Sequence, residues 1–264
     1  MTDSPEYGRI LCVAEGHVLK IGIDRPRKLN VFTPETLREL AEAYTRLEND
    51  PDLWVGILHS TGPHFTAGLQ LDRVAPIMAK GEPVFPGYCV DPVSLREPIR
   101  SKPLIAAVRG ICFTIGIELM LAADIVVAGK DSRFAQIEVK RGIMPTGGAT
   151  LRFVERCGWG NAQRLLLTGM EFDANEAYRL GLVQEVLEPD AVLARAEALA
   201  AEIAANAPLA VRASLASSRR YAEFGPLVAA TTLDTVQRQL SATEDAAEGV
   251  KSFIERRPAN FRGH

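Results

Sequence analysis

Cysteine is scarce in this chain of 264 residues. Cys12, Cys89, Cys112 and Cys157 stand far apart, with no CxxC pair among them. That spacing argues against a structural zinc site and against a disulfide framework. The four histidines are dispersed as well; His59 and His64 share a segment, but no neighbouring acid or cysteine completes a metal-ligand set. No apolar run approaches the roughly 20 residues that span a bilayer. The polar, acidic start Met1-Thr-Asp-Ser-Pro-Glu6 is unlike a secretory signal. The net charge is only −3 and no long basic run occurs, so nucleic acid is not the indicated partner. The pairs Arg219-Arg220 and Arg256-Arg257 read as solvated surface. Unpaired, scattered cysteines suit a reducing cytoplasm.

What the chain does have is apolar residues, at 47%. At this length they can fill the core of one large domain, or of one domain with an appendage. The first half alternates strand and turn signals. His17–Asp24 alternates and stops at Arg25-Pro26. Trp54–His59, Pro103–Val108 and Ile125–Ala128 are short apolar runs of the buried-strand kind. Between the first two lies a helix: Thr33 suits its cap, Pro34 its first position, and Leu37, Leu40, Ala41, Tyr44 and Leu47 fall on one face. Strand–helix–strand order predicts an α/β domain with substantial parallel pairing. From about residue 75 to 100, prolines and weak periodicity predict a loop over the domain, with room for a short helix. After Thr150 the chain turns helical. A short helix is predicted over Asn161–Thr168, and another is capped by Asp173 and closed at Gly181. Further helices are predicted over Asp190–Ala205, after Pro208, and on either side of Thr243.

The most informative stretch is Gly110–Asp124, where Glu118 interrupts an apolar run. Twenty residues on, Glu138 closes Phe134-Ala-Gln-Ile-Glu138, and the loose turn Gly142–Thr150 follows at once. A carboxylate in an apolar setting is costly unless paired or used. Two of them beside loosened backbone suggest a catalytic pair. The residues alone leave open a plainer reading, with Glu118 as a dipole-stabilised carboxylate early in a helix and Glu138 as an exposed surface glutamate.

A third segment, Pro63–Leu71, carries Ala67-Gly68, where backbone can approach a ligand closely. With it the chain resembles the crotonase superfamily, the enoyl-CoA hydratase/isomerase family. The matching residues run in order through Asp24–Asn30, Phe65–Leu69, Gly110–Asp124, Phe134–Glu138, Gly142–Thr150, Leu167–Gly169, Ala177–Val183 and Glu248–Phe261. The resemblance implies a crotonase-like (ClpP/crotonase) α/β fold of repeated ββα units with a helical C-terminal oligomerisation region. It divides the chain into a core with the CoA and acyl site, residues 1–190, and an assembly region, residues 191–264. It implies a homotrimer or dimer of trimers, an acyl-CoA substrate, and no metal or redox cofactor.

The resemblance also assigns roles. The N–H groups of Leu69 and Ile115 would form the oxyanion hole. Glu118 would activate water for attack at Cβ, and Glu138 would exchange a proton at Cα. Arg27, Lys28 and Leu29 match a CoA-contacting loop, and Phe253 and Arg256 match residues that reach CoA, often across a subunit boundary. Ala67, Gly68, Gln70, Leu71, Phe113, Gly116, Pro145 and Thr146 complete the expected surroundings, with core rather than pocket favoured for Phe113. Three positions depart from the family pattern: Gln70 stands for the usual Asp, and Ile115 and Thr146 for glycines. Backbone donors survive such changes, but the added bulk bears on acyl length and shape. Thr146 also occupies the place of an acid used by dienoyl isomerases, which threonine cannot replace. The implied activity is that of a carbon–oxygen lyase, hydration of a trans-2-enoyl-CoA to a 3-hydroxyacyl-CoA. The alternatives are an enoyl-CoA isomerase working mainly through Glu138, and a non-catalytic acyl-CoA- or RNA-binding paralogue.

Overall fold

A computed structural model describes residues 6–264; the first five residues of the polar N-terminal stretch lie outside the described residues. In chain order the first elements are β1 (Arg9–Glu15), β2 (Val18–Asp24), α1 (Pro34–Asn49), β3 (Val55–Ser60), α2 (Leu71–Ala79) and β4 (Leu104–Val108). Then come β5 (Ile111–Phe113), α3 (Ile115–Ala122), β6 (Ile125–Gly129), β7 (Arg133–Ala135), α4 (Ala149–Thr168), β8 (Glu171–Asp173), α5 (Ala174–Arg179) and β9 (Glu185–Leu187). Four helices close the chain: α6 (Val192–Ala204), α7 (Pro208–Ala230), α8 (Leu233–Ser241) and α9 (Glu244–Glu255).

The four predicted strands are β2, β3, β4 and β6. They form the middle of a six-stranded sheet ordered β1-β2-β3-β4-β6-β9. Only β1 runs antiparallel to its neighbour. A smaller sheet, β5-β7-β8, stands apart. The apolar runs lack alternation because both faces of the large sheet are covered, the usual state of parallel strands. Leu58, Leu104, Ala106, Val108, Val126 and Ala128 face the main core with the α1 stripe. Val55, Ile57, Ile105, Ala107 and Val127 face the other way, against Val192, Ala196 and Ala200 of α6.

Helix α1 starts as the sequence requires. Thr33 accepts from the Thr36 N–H, the Thr36 hydroxyl accepts from the Thr33 N–H, and Pro34 fills the first position. Its buried face includes the five residues read from its period. Elsewhere the structure corrects the reading. The expected helix Asn161–Thr168 is the second half of α4, which begins at Ala149 and breaks at Gly158, where φ is 75°. Helix α2 starts earlier than the predicted loop and runs through Pro76.

Arg219 is not solvated surface. From α7 it donates to Asp124 Oδ1 at 3.1 Å and to the Arg100 carbonyl. Arg100, whose side chain has no exposure, donates to Asp124 Oδ2 at 2.8 Å and to the carbonyls of Lys102 and Ala122. Asp124 therefore joins α7, the end of α3 and the start of β4.

Candidate active site

Two loops meet at the mouth of the small sheet. The segment 66–70 is stitched on both sides. Thr66 N–H donates to Ile111 O and Phe113 N–H to Thr66 O, while Phe32 N–H donates to Gly68 O and Gln70 N–H to Phe32 O. Asn30 anchors this weave, its side-chain amide donating to the carbonyls of Thr61 and His64 at 2.9 and 2.7 Å. Against it lies Thr114, held at φ 51°, ψ −118°, with α3 starting at the next residue.

The hydrogen bonding leaves backbone donors over on both loops. Gly68 N–H donates to Thr66 Oγ1, Gln70 N–H to Phe32 O, Thr114 N–H to Ala135 O, and Ile117 N–H to Thr114 O. Among the described residues, the N–H groups of Leu69 and Ile115 meet no acceptor. Both residues line one cavity of about 320 Å³. For Ile115 the free N–H is a consequence of its place at a helix start, with the dipole behind it.

Gly68 makes the approach of the two loops possible. Its φ is 112°, and a Cβ there would stand 2.4 Å from Thr114 Oγ1. Gly68→Ala therefore pushes Leu69 and Ile115 apart, with an expected loss of roughly a hundredfold in kcat, the scale of one misplaced oxyanion donor. Steady-state kinetics with an enoyl-CoA checks this; unchanged kcat would show that the loops have slack.

Both glutamates line the same cavity. Glu118, in the first turn of α3, is 5% exposed, and its Oε1 accepts from Gly147 N–H at 2.6 Å and more weakly from Ala149 N–H at 3.4 Å. Burial pushes its pKa up, while the two N–H donors and the nearby Arg152 guanidinium pull it down; burial prevails. Gly147 has no room for a side chain, since a Cβ would lie 2.5 Å from Glu118 Oε2. Glu138 is buried, not the exposed glutamate of the plainer reading. Its Oε1 accepts from Gln136 Nε2 at 2.9 Å, and its buried Oε2 has no partner. Burial, with a further push from the Glu118 charge, raises its pKa to about 7.

That pKa has a stability consequence. The folded value lies above the ordinary 4.5, so the contribution of the Glu138 proton is complete below about pH 4.5 and is lost as pH rises through about 7. Glu138→Gln removes the penalty for ionisation. It should stabilise the protein at pH 8.5 relative to pH 5 by about 1–2 kcal/mol, after discounting for residual solvent contact. Urea unfolding of both proteins at the two pH values measures it; a difference that does not grow with pH contradicts the assignment.

Of the other expected residues, Ala67, Leu71, Pro145 and Thr146 line the cavity, Thr146 at an exposed position. Arg27, Lys28 and Leu29 form an exposed turn beside it, with Leu29 O accepting from Ala67 N–H. Gly68 and Gly116 sit behind the wall; a Cβ on Gly116 would meet Thr66 Cγ2 at 2.6 Å. Gln70 is turned away from the cavity, because its Oε1 accepts from Arg25 Nη1 at 2.9 Å. Phe113 is half-buried in β5 and does not line the cavity. Phe253 and Arg256 lie at the exposed end of α9, and no residue beyond Gly147 contributes to the lining, so one chain alone does not bring them to this cavity. Gln136, Gly147, Ala149 and Arg152 were not singled out from the sequence; Gln136 and Gly147 stand inside motifs already noted, but what they touch is set by the fold. No group of three or more His, Cys, Asp or Glu that could hold a metal occurs among the described residues.

Free backbone donors and buried carboxylates around one largely apolar cavity form an arrangement that can hold an oxyanion and move protons. The comparisons give the family. The family model described as Enoyl-CoA hydratase/isomerase matches residues 14–264, and the chain belongs to that family. It is 36% identical over 252 residues to the enoyl-CoA hydratase EchA19 of Mycobacterium tuberculosis, covering 94% of each chain. It is 34% identical over 251 residues to the mevalonyl-coenzyme A hydratase sidH of Aspergillus fumigatus, covering 93% of this chain and 92% of that one. The crystal structure of a probable enoyl-CoA hydratase/isomerase from Mycobacterium abscessus superposes with a TM-score of 0.94 at 43% identity, over 98% of this chain and 100% of that one. The crotonase-like fold expected from the sequence is thus the fold observed.

Proposed function

We propose that this protein is an enoyl-CoA hydratase acting on a trans-2-enoyl-CoA. The observation that carries the reading is the pairing of two unoccupied N–H donors with two buried carboxylates on one cavity wall. The thioester oxygen takes the N–H groups of Leu69 and Ile115, which stabilise the enolate as it forms. Glu118, ionised, accepts a proton from water as the oxygen attacks Cβ. Glu138, protonated through its free Oε2, gives its proton to Cα. Water is added and no electron leaves the system, so the chemistry calls for no redox cofactor. A pKa of about 7 suits a group that must both hold and release a proton near neutrality. Loss of enoyl absorbance with crotonyl-CoA and longer homologues tests the reading. Conversion of a 3-enoyl-CoA with no hydration would favour the isomerase, for which Glu138 alone is already a competent proton carrier.

The turn Arg27–Leu29 fits the CoA-contacting role by its exposure and its bond to Ala67. Ile115 and Thr146 narrow the cavity, so selectivity in acyl shape is expected. Thr146→Gly should broaden it, read as kcat/KM across an enoyl-CoA length series. Unchanged relative preferences would remove Thr146 from the acyl channel.

The assembly reading keeps residues 191–264 as the oligomerisation region, with α6 serving the sheet and α7–α9 supplying the contact surface. Phe224, Leu227, Leu233, Val250, Phe253 and Ile254 are all exposed there. A trimer or hexamer would cover such residues and bring Phe253 and Arg256 to a neighbouring CoA site. Sedimentation at micromolar concentration tests this, and a monomer overturns it. No helix among the described residues is long and apolar enough to cross a membrane; with the scattered free cysteines this supports a cytoplasmic location.

A further inference from the structure

We propose that Arg152 is a positioning residue for Glu118: its guanidinium clasps the segment at 93–94 to the turn at Gly147 and thereby holds the N–H that fixes the carboxylate. This rests on the hydratase reading of the site. Arg152 Nη2 donates to Val93 O at 2.7 Å and Ser94 O at 3.4 Å, while Nη1 donates to Gly147 O at 3.3 Å. The peptide unit following Gly147 O leads on to α4, and the N–H of the same Gly147 bonds Glu118 Oε1. One side chain thus governs the residue that orients the carboxylate.

Both ends of the clasp are built. The 91–96 segment is no loose lid. The Asp91 carboxylate accepts the N–H groups of Val93, Leu95 and Arg96 at 2.9–3.1 Å, and Asp91 O accepts from Ser94 N–H. At the other end Gly148, at φ 102°, leaves the guanidinium its place, since a Cβ would lie 2.3 Å from Arg152 Nη1. Arg152 makes no ion pair among the described residues, so no contacting carboxylate cancels its charge. The charged groups around it are Glu118, Asp91, Glu155 and Arg156, and the Glu118 charge acts in turn on Glu138 in the same cavity. Of these, Arg152 is the cation that favours the ionised form of Glu118. A guanidinium spreads its donors over a planar fork that can reach two segments at once, whereas an ammonium's three donors radiate from a single nitrogen.

Two variants separate the clasp from the charge. Arg152→Gln keeps hydrogen bonding and loses the charge; Arg152→Lys keeps the charge and loses the fork. Kinetics with an enoyl-CoA that the wild type hydrates should show kcat falling by about tenfold or more in both, with KM within about twofold, as expected when an interaction made mainly in the transition state is lost. The Glu118 titration, read by NMR with 13C-labelled glutamate carboxyls, should move to higher pH in both variants, and further in Arg152→Gln, which loses the charge as well. A merely structural residue would lower kcat and raise KM together, or leave the titration unmoved in Arg152→Gln. Either result overturns the proposal, as does full kcat in Arg152→Lys, which also decides the matter should Arg152→Gln not fold. The titration needs no turnover, so a wild type that hydrates nothing would sink the hydratase reading and still leave the coupling of Arg152 to Glu118 measurable.

Discussion

Glu118→Gln lowers kcat for hydration by at least about a hundredfold and leaves acyl-CoA binding in place, the scale on which one general acid–base group acts. The substitution keeps shape. A glutamine Oε1 can still accept from Gly147 N–H, so the turn and α3 keep their relation. What disappears is a carboxylate able to take a proton from water. Burial pushes both carboxylates up, but Glu138, at about 7, can still hold a proton near neutrality, whereas two N–H donors and the Arg152 guanidinium favour the ionised form of Glu118. The proposed oxyanion donors, backbone groups of Leu69 and Ile115, do not change, so KM should stay within about threefold. The alkaline limb of the wild-type pH profile should fall as Glu138 loses its proton above about 7, and it should vanish in Glu138→Gln, itself expected to be slow. Stopped-flow and steady-state rates with crotonyl-CoA or a longer homologue decide it. Full activity in Glu118→Gln would end the water-activation role and move the reading to the isomerase.

Asp124→Ala costs about 3–5 kcal/mol of folding stability, because it strips the counter-charge from a buried guanidinium. The Arg100 side chain has no solvent contact, and its Nε already lacks a partner. Asp124 also accepts from Leu104 N–H at 2.8 Å and from Arg219 at 3.1 Å, so one substitution releases three donors on three elements. Set against a typical total of roughly 5–15 kcal/mol, this is a large fraction. Asp124→Asn keeps an acceptor and should cost less. The effect also reaches the site: Arg100 donates to Ala122 O at the end of α3, whose start presents Ile115 N–H. Urea unfolding of both variants provides the measurement; a loss under about 1 kcal/mol in Asp124→Ala would show that the carbonyls of Ala122 and Lys102 suffice for Arg100.

The sequence was a good guide wherever one element determines its own shape. The Thr33-Pro34 start and the stripe from Leu37 to Leu47 settle α1 before any tertiary contact is considered. β2 announces itself by alternation, and β3, β4 and β6 because burial on both faces demands near-continuous apolar runs. β1 has an apolar run of its own, Ile10–Ala14, absent from the four predicted strands; as an edge strand it is only partly buried, with three exposed residues at its end. β5, β7, β8 and β9 are three residues each, too short for a period to show. The glutamates were legible through their unsuitable surroundings. Their partners were not. Nothing local marks Gly147 as the donor to Glu118, twenty-nine positions earlier, or Gln136 as a partner of Glu138 and not an ordinary amide. Arg219 failed for the same reason, since its acceptor Asp124 is distant in sequence and adjacent only after α7 has docked.

The back of the large sheet has an implication for synthesis. Val55, Ile57, Ile105, Ala107 and Val127 are made long before α6, whose Val192, Ala196 and Ala200 cover them with Leu193, Leu199 and Ile203 packed alongside. At about 5–20 residues per second a nascent chain carries this bare apolar face for on the order of ten seconds. A chain stopped after residue 190 should therefore be captured by chaperones or aggregate, while one stopped after residue 206 should stay soluble more readily. The last turn of sheet-covering helix, and not the last strand, marks the moment at which the newborn polypeptide becomes safe.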